Sequence, residues 1–190
     1  PHDDLLADAL DTLDSATEAR APRGAAFAEL GLAPEIVRAI AHGGYDAPTP
    51  VQARAVPLAL AGADLLVSSQ TGSGKTAAFV WPALERILAA RLDVTKKRVK
   101  GQTYGPRVLV LAPTRELAQQ VARACTVYGH GVSGLRVAHV VGGVPYQAQL
   151  KALRGPLDLL IATPGRLMDL MNSGAAVLAN IELLVLDEAD

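Results

Sequence analysis

Two stretches of this chain carry residue types suited to phosphate chemistry. The first is 69-SQTGSGKT-76, where Gly72 and Gly74 precede Lys75 and Thr76. Set between a strand and a helix, such a turn offers unpaired backbone N–H groups and the positive end of the peptide dipoles, which favour a bound phosphate. The two glycines let the backbone bend and approach without a Cβ in the way. Lys75 would reach the β- and γ-phosphates, and the Thr76 hydroxyl would ligate Mg²⁺. The strict phosphate-loop pattern has glycine where this chain has Ser69, and the competing reading is a solvated turn. The second stretch is 183-LLVLDEAD-190, an apolar run ending in acids. At the end of a buried strand, Asp187 would hold Mg²⁺, partly through water, and Glu188 would polarise an attacking water as general base. Taken alone, such an acidic cluster is usually only solvated.

Both stretches need a sheet to position them. Short runs rich in Leu, Val and Ile recur at 65–67, 108–112, 135–141, 157–162 and 181–187. Helical patterns fall at 34–42, 51–60, 75–91, 114–129, 145–153 and 165–172. Runs that are continuously apolar suit strands buried on both faces. Their alternation with helices predicts an α/β fold, a mostly parallel sheet with helices on both faces. Acids at the carboxyl end of a strand then stand where open α/β sheets bind ligands.

Composition sets the limits. The chain has 190 residues, 50% hydrophobic and 19% charged, which suits one globular domain with a sizeable core. A net charge of −1 gives no global attraction for a polyanion, so any nucleic-acid contact must rest on a local site. One cysteine, Cys125, rules out a disulfide framework within the chain and suits a reducing compartment. No apolar run approaches 18 residues, and 1-PHDDLLADALDTLD-14 is acidic where a signal peptide is basic, so the expectation is a cytoplasmic protein with no membrane contact. Leu5, Leu6, Leu10 and Leu13 at helical spacing predict a short amphipathic helix over 3–14, followed by a linker. Residues 1–23 are thus expected as an N-terminal extension and 24–190 as the domain. Between Arg86 and Arg107 lie seven cations, mostly within 91-RLDVTKKRVKGQTYGPR-107. Such a stretch could touch phosphates, although a charge run is more often a solvated face.

Read in order, the motifs resemble the N-terminal half of a DEAD-box ATP-dependent RNA helicase, from residue 27 to residue 190. Phe27 lies upstream of 44-GYDAPTPVQ-52, which is similar to the family's adenine-reading Q motif. The stretch 69-SQTGSGKT-76 is similar to motif I, where a small residue commonly replaces the first glycine. Then follow 113-PTRELA-118, Gly142-Gly143, 163-TPGR-166 and 187-DEAD-190. The resemblance implies a RecA-like P-loop NTPase domain that binds ATP and Mg²⁺ and contacts RNA backbone without reading sequence. It places the nucleotide among Phe27, Tyr45, Thr49, Gln52, Thr71, Gly72, Ser73, Gly74, Lys75 and Thr76. Gln52 has an amide suited to adenine N6 and N7, Phe27 could cover the adenine face, and Tyr45 suits packing as well as ligand contact. Lys75, Asp187 and Glu188 would be catalytic, with Thr76 and Asp187 holding the metal. RNA would lie along Pro113, Thr114, Arg115, Gly142, Gly143, Thr163, Pro164, Gly165 and Arg166, where Thr114 and Thr163 can cap helices. The alternative for Arg115 and Glu116 is a structural salt bridge at a helix start. His130 and His139 have no metal-ligand spacing and read as structural.

The family's next motif, Ser-Ala-Thr, and its second RecA-like domain with the arginine finger lie outside residues 1–190. The expectation is therefore weak nucleotide binding and near-inactivity for this stretch alone. A sheet gap is also expected between the phosphate-loop strand and the Asp187 strand. Other readings are a small-molecule kinase, a related DNA helicase or other P-loop ATPase, and a nucleotide- or RNA-binding module without catalysis. A kinase leaves 187-DEAD-190 and 163-TPGR-166 without work, and Gln52 points away from a DNA helicase.

Overall fold

The computed structural model describes residues 24–188. The helix expected over 3–14, most of the linker, Ala189 and Asp190 lie outside them. Three helices come first: α1 (Ala25–Ala28), α2 (Pro34–His42) and α3 (Pro50–Leu60). Pro at N1 starts α2 and α3, where a missing N–H costs nothing. Thr49 and Gln52 add a reciprocal capping box to α3. The longest helix, α4 (Lys75–Leu92), begins at Gly74, whose φ of +84° is a left-handed entry that favours glycine. The core then alternates as β1 (Val108–Leu111), α5 (Arg115–Tyr128), β2 (Val137–Val140), α6 (Tyr146–Ala152), β3 (Leu159–Ala162), α7 (Pro164–Asn172) and β4 (Leu183–Leu186).

The strands form one parallel sheet in the order β2-β3-β1-β4. Its two faces sort the residues by parity, as period-2 geometry demands. Val108, Val110, Leu159 and Ile161 face a core with Phe27, Ile36, Ile40, Trp81, Leu84, Ile87, Val121 and Cys125 from α1, α2, α4 and α5. Leu109, Leu160 and Ala162 face a second core with Leu153, Leu167 and Leu170. The sheet is thus covered by helices on both faces.

One expected strand is absent. Residues 65–67 join no ladder, and Leu65, Leu66 and Val67 are exposed. A strand is held by pairing, and nothing described here pairs with this run. On the other side, β4 pairs only with β1, and its outer edge is open.

In the basic stretch 91–107 the three arginines are engaged, while Lys97 and Lys100 stay exposed. Arg91 donates to the carbonyls of Ser133 and Gly134 and meets Asp158 at 3.0 Å. Arg98 donates to the carbonyls of Leu157 and Gly105 and lies 5.2 Å from the Tyr104 ring centroid. Arg107 is buried, donates to the Lys96 carbonyl at 2.9 Å and faces Glu182, which Lys96 also pairs. These contacts tie together the loops that enter β1, β3 and β4 at Val108, Leu159 and Leu183, the amino ends of the strands.

Candidate functional site

The register decides what meets at the opposite rim. Leu111 pairs with Ala162 on one side and Leu186 on the other, and Val140 pairs with Ala162. The four strands therefore end level, and the residues that follow emerge side by side at about 4.8 Å spacing. In spatial order these are Gly142-Gly143 after β2, Thr163–Arg166 after β3, Pro113–Arg115 after β1 and Asp187-Glu188 after β4. Segments scattered over about 80 residues of sequence thus form one row.

Within that row the glycine pair and Arg115 touch. Gly143 has φ +79°, and the Arg115 guanidinium occupies the place a Cβ would take. Any side chain there would be both strained and in collision with Arg115. Arg115 and Glu116 are exposed and make no ion pair among the described residues, so the expected alternative of structural salt bridges at this helix start is not formed there. Thr114 caps α5, accepting from Leu117 N at 3.2 Å. Thr163, expected to cap α7, makes no side-chain cap hydrogen bond. Pro164 fills N1, and the free N–H groups of this first turn stay open at the rim.

Arg166 points back into the protein rather than outward. Its Nη1 donates to the Val144 carbonyl at 2.9 Å and to Gln149 Oε1 at 2.8 Å, and its guanidinium lies 5.9 Å from the Tyr146 ring centroid. Gln149, absent from the sequence-based set, is 4% exposed and donates from Nε2 to the Val141 carbonyl at 2.8 Å. A signal for it existed. Tyr146, Gln149, Leu150 and Leu153 share one helical face, so a polar residue stands in an apolar stripe.

The glycine-containing loop lies at the start of α4. Gly72 and Gly74 hold φ values of +81° and +84°. The Ser73 hydroxyl donates to Ser69 Oγ at 2.8 Å, and Ser73 N bonds the Gln70 carbonyl. Ser69, the departure from the strict pattern, thus closes the turn by side chain. Space beside Gly72 is open, whereas a Cβ on Gly74 would strike Gln52 Nε2 and approach Thr49 Oγ1 at 2.9 Å. Gln52 is buried, with Oε1 accepting from Thr49 N at 3.0 Å and Nε2 donating to the Gly74 carbonyl at 3.1 Å. An amide has two donors and two lone pairs. Gln52 thus holds the loop and retains one of each.

Phe27 does not stand at this loop's surface. It is fully buried and packs edge-on against Trp81 with centroids 5.5 Å apart, so the expected cover for an adenine is a core residue. Tyr45 is half-exposed and lies near Tyr128, whose ring in turn packs on Trp81.

Asp187 is buried, and its N–H donates to the Leu111 carbonyl at 2.9 Å. Burial and then the Glu188 charge push its carboxyl above the ordinary aspartate range, while Lys75 is near enough to draw it partly back. Glu188 is exposed and has φ +51°, the only non-glycine described residue with positive φ. Such a backbone costs about 1–2 kcal/mol and concentrates at functional turns. Among the described residues no three His, Cys, Asp or Glu side chains are grouped to hold a metal by themselves. The Thr76 hydroxyl and Asp187 carboxylate are hard oxygen donors of the kind that share a hard cation with phosphate oxygens.

Residues 49–190 match the DEAD/DEAH box helicase family. The chain is 43% identical over 170 residues to an ATP-dependent RNA helicase DeaD of Mycobacterium tuberculosis (strain ATCC 25618 / H37Rv), covering 90% of this chain and 28% of that protein. It is 45% identical over 164 residues to the protein of the same name from Escherichia coli (strain K12), covering 86% and 24%. A crystal structure described as a hypothetical ATP-dependent RNA helicase from Sulfolobus tokodaii superposes with a TM-score of 0.69 at 38% identity, over 82% of this chain and 41% of that one. The chain spans about a quarter of the length of the curated relatives it matches. No described helix is long and apolar enough to cross a membrane.

Proposed function

This chain belongs to the DEAD/DEAH box helicase family, and from that premise we propose that it is the ATP- and RNA-binding N-terminal domain of an ATP-dependent RNA helicase. In the complete protein it would couple ATP hydrolysis to local separation of RNA strands, working against a second RecA-like domain. The observation that supports this reading is the level register of the four strands, by which the segments following β2, β3 and β1 form one row with Asp187, which Lys75 approaches. Residues 24–190 would be the domain, residues 1–23 an extension outside catalysis, and the cytoplasm the place of action.

Each residue has a task that its setting supports. Backbone N–H groups from Gly72 to Thr76, at the start of α4, would receive the phosphates with Thr71 and Ser73 beside them. Lys75 would pair with the β- and γ-phosphates. Thr76 and Asp187 would hold Mg²⁺, whose charge offsets that of the phosphates when it is bound. Glu188, held outward by its backbone, would take the proton of the attacking water. The donor and acceptor left on Gln52 are the pair that adenine N7 and N6 require, and guanine presents O6 in place of that amino group. Tyr45 is exposed enough to lie against the base. Arg115, the backbone at Gly142-Gly143 and the open first turn of α7 from Thr163 would hold RNA phosphates, giving affinity without sequence preference.

The test is RNA-stimulated ATPase activity of the complete protein. Glu188→Gln should lower turnover at least about 100-fold with ATP still bound, and Gln52→Ala should remove the preference for ATP over GTP. Residues 1–190 alone should turn over ATP very slowly, because no arginine finger is supplied. ATPase activity indifferent to RNA, or unchanged in Glu188→Gln, would overturn the reading.

A further inference from the structure

Gly142-Gly143 and Thr163–Arg166 follow different strands, yet a single buried side chain spans between them. Gln149 Nε2 holds the Val141 carbonyl just ahead of the glycine pair, while its Oε1 receives Arg166 Nη1. The same Arg166 nitrogen holds the Val144 carbonyl just after the pair. The loop 142–143 is therefore fastened at both shoulders, one by Gln149 and the other by the arginine that Gln149 positions. From its middle, Gly143 abuts Arg115. A buried amide with both ends engaged is costly to disturb, because truncation strands a carbonyl and a guanidinium N–H away from water.

Resting on the RNA-binding reading above, we propose that Gln149 is a positioning residue for the RNA-holding rim. It touches no RNA itself. It fixes the spacing between the glycine pair and Arg166, and through Gly143 the place of Arg115. Loss of this amide lets the 142–143 backbone and Arg166 move independently, so the row of phosphate-binding groups no longer matches one strand. The nucleotide loop stands on α4, outside this linkage, and should not register the change.

The experiment measures affinity of the complete protein for a single-stranded RNA oligonucleotide with a non-hydrolysable ATP analogue, and separately for the nucleotide alone. Gln149→Leu keeps the volume and removes both hydrogen bonds, and RNA affinity should fall about tenfold, the scale of one or two lost buried bonds. Gln149→Glu keeps the acceptor for Arg166 and loses the donor to Val141, so its loss should be comparable, which separates this role from a simple salt-bridge partner. Nucleotide affinity should be unchanged in both. Arg166→Lys keeps the charge without the two-way bond, and combined with Gln149→Leu it should weaken RNA binding no further than either change alone. RNA affinity that is unaltered in Gln149→Leu, a parallel loss of nucleotide affinity, or full additivity with Arg166→Lys would overturn the proposal. If the unaltered protein bound no RNA, the underlying reading would have failed instead, and this proposal with it.

Discussion

Asp187 illustrates how a residue's setting trades stability against chemistry. Its carboxylate is buried beside Glu188, and the opposing pull of Lys75 does not cancel the cost of holding that charge. Asp187→Asn keeps the shape and removes the charge. It should raise the melting temperature at neutral pH by a few degrees while abolishing ATP turnover. A lower melting temperature would mean that the Lys75 pair outweighs burial. At this scale the sequence was legible where a residue's place follows from its neighbours in the chain, as with Asp187 directly after the apolar strand β4, and illegible where it follows from surroundings. Phe27 has the ring that could cover a base, but the contact with Trp81 that buries it is brought about by packing between α1 and α4. Burial likewise pushes the Cys125 thiol up to about 12, which makes this sole cysteine an inert core residue.

Elements behave according to how local their causes are. The helices from α2 onward follow from nearby signals such as Pro34, Pro50 and Thr49, and they lie within a residue or two of where the periodicity places them, whereas α1 falls partly on the expected linker. The run 65–67 has as good an apolar pattern as β4 but no neighbour, because pairing is a non-local property that its three residues cannot encode. Helix α2 has a distant aid of the same kind. Glu85 of α4 accepts the N–H of Ala33, the residue preceding α2. Burial raises the Glu85 carboxyl, that N–H draws it back, and Glu35 raises it again, with a net rise. The folded state then keeps its proton to higher pH than the unfolded chain. This contribution to stability is greatest at low pH and is lost as pH rises through the elevated folded value. Measured from about pH 4 to pH 6, the melting temperature of the protein minus that of Glu85→Gln should decrease. A flat difference would show that the carboxyl titrates as an ordinary one.

Across the whole molecule, charge is divided between the two ends of the sheet. Arg91, Arg98 and Arg107 are engaged at the amino ends of the strands, while Arg115, exposed at the carboxyl ends, makes no ion pair among the described residues. A count of cations along the chain does not show which arginines are already committed to partners, whereas their contacts do. Arg107→Ala should destabilise the fold by about 3 kcal/mol in urea denaturation, since it strips a buried partner from Glu182. Replacing exposed Lys97 and Lys100 with alanine should change neither stability nor RNA affinity. A drop in RNA affinity in the lysine variant would return this stretch to the RNA path. The open edge of β4 has a practical corollary. Leu184 and Leu186 are exposed beside a row of unpaired backbone groups, which is a ready template for strand addition by another chain. A preparation of residues 1–190 alone is therefore prone to aggregate, and its working concentration would be limited by that edge before any weakness in its core.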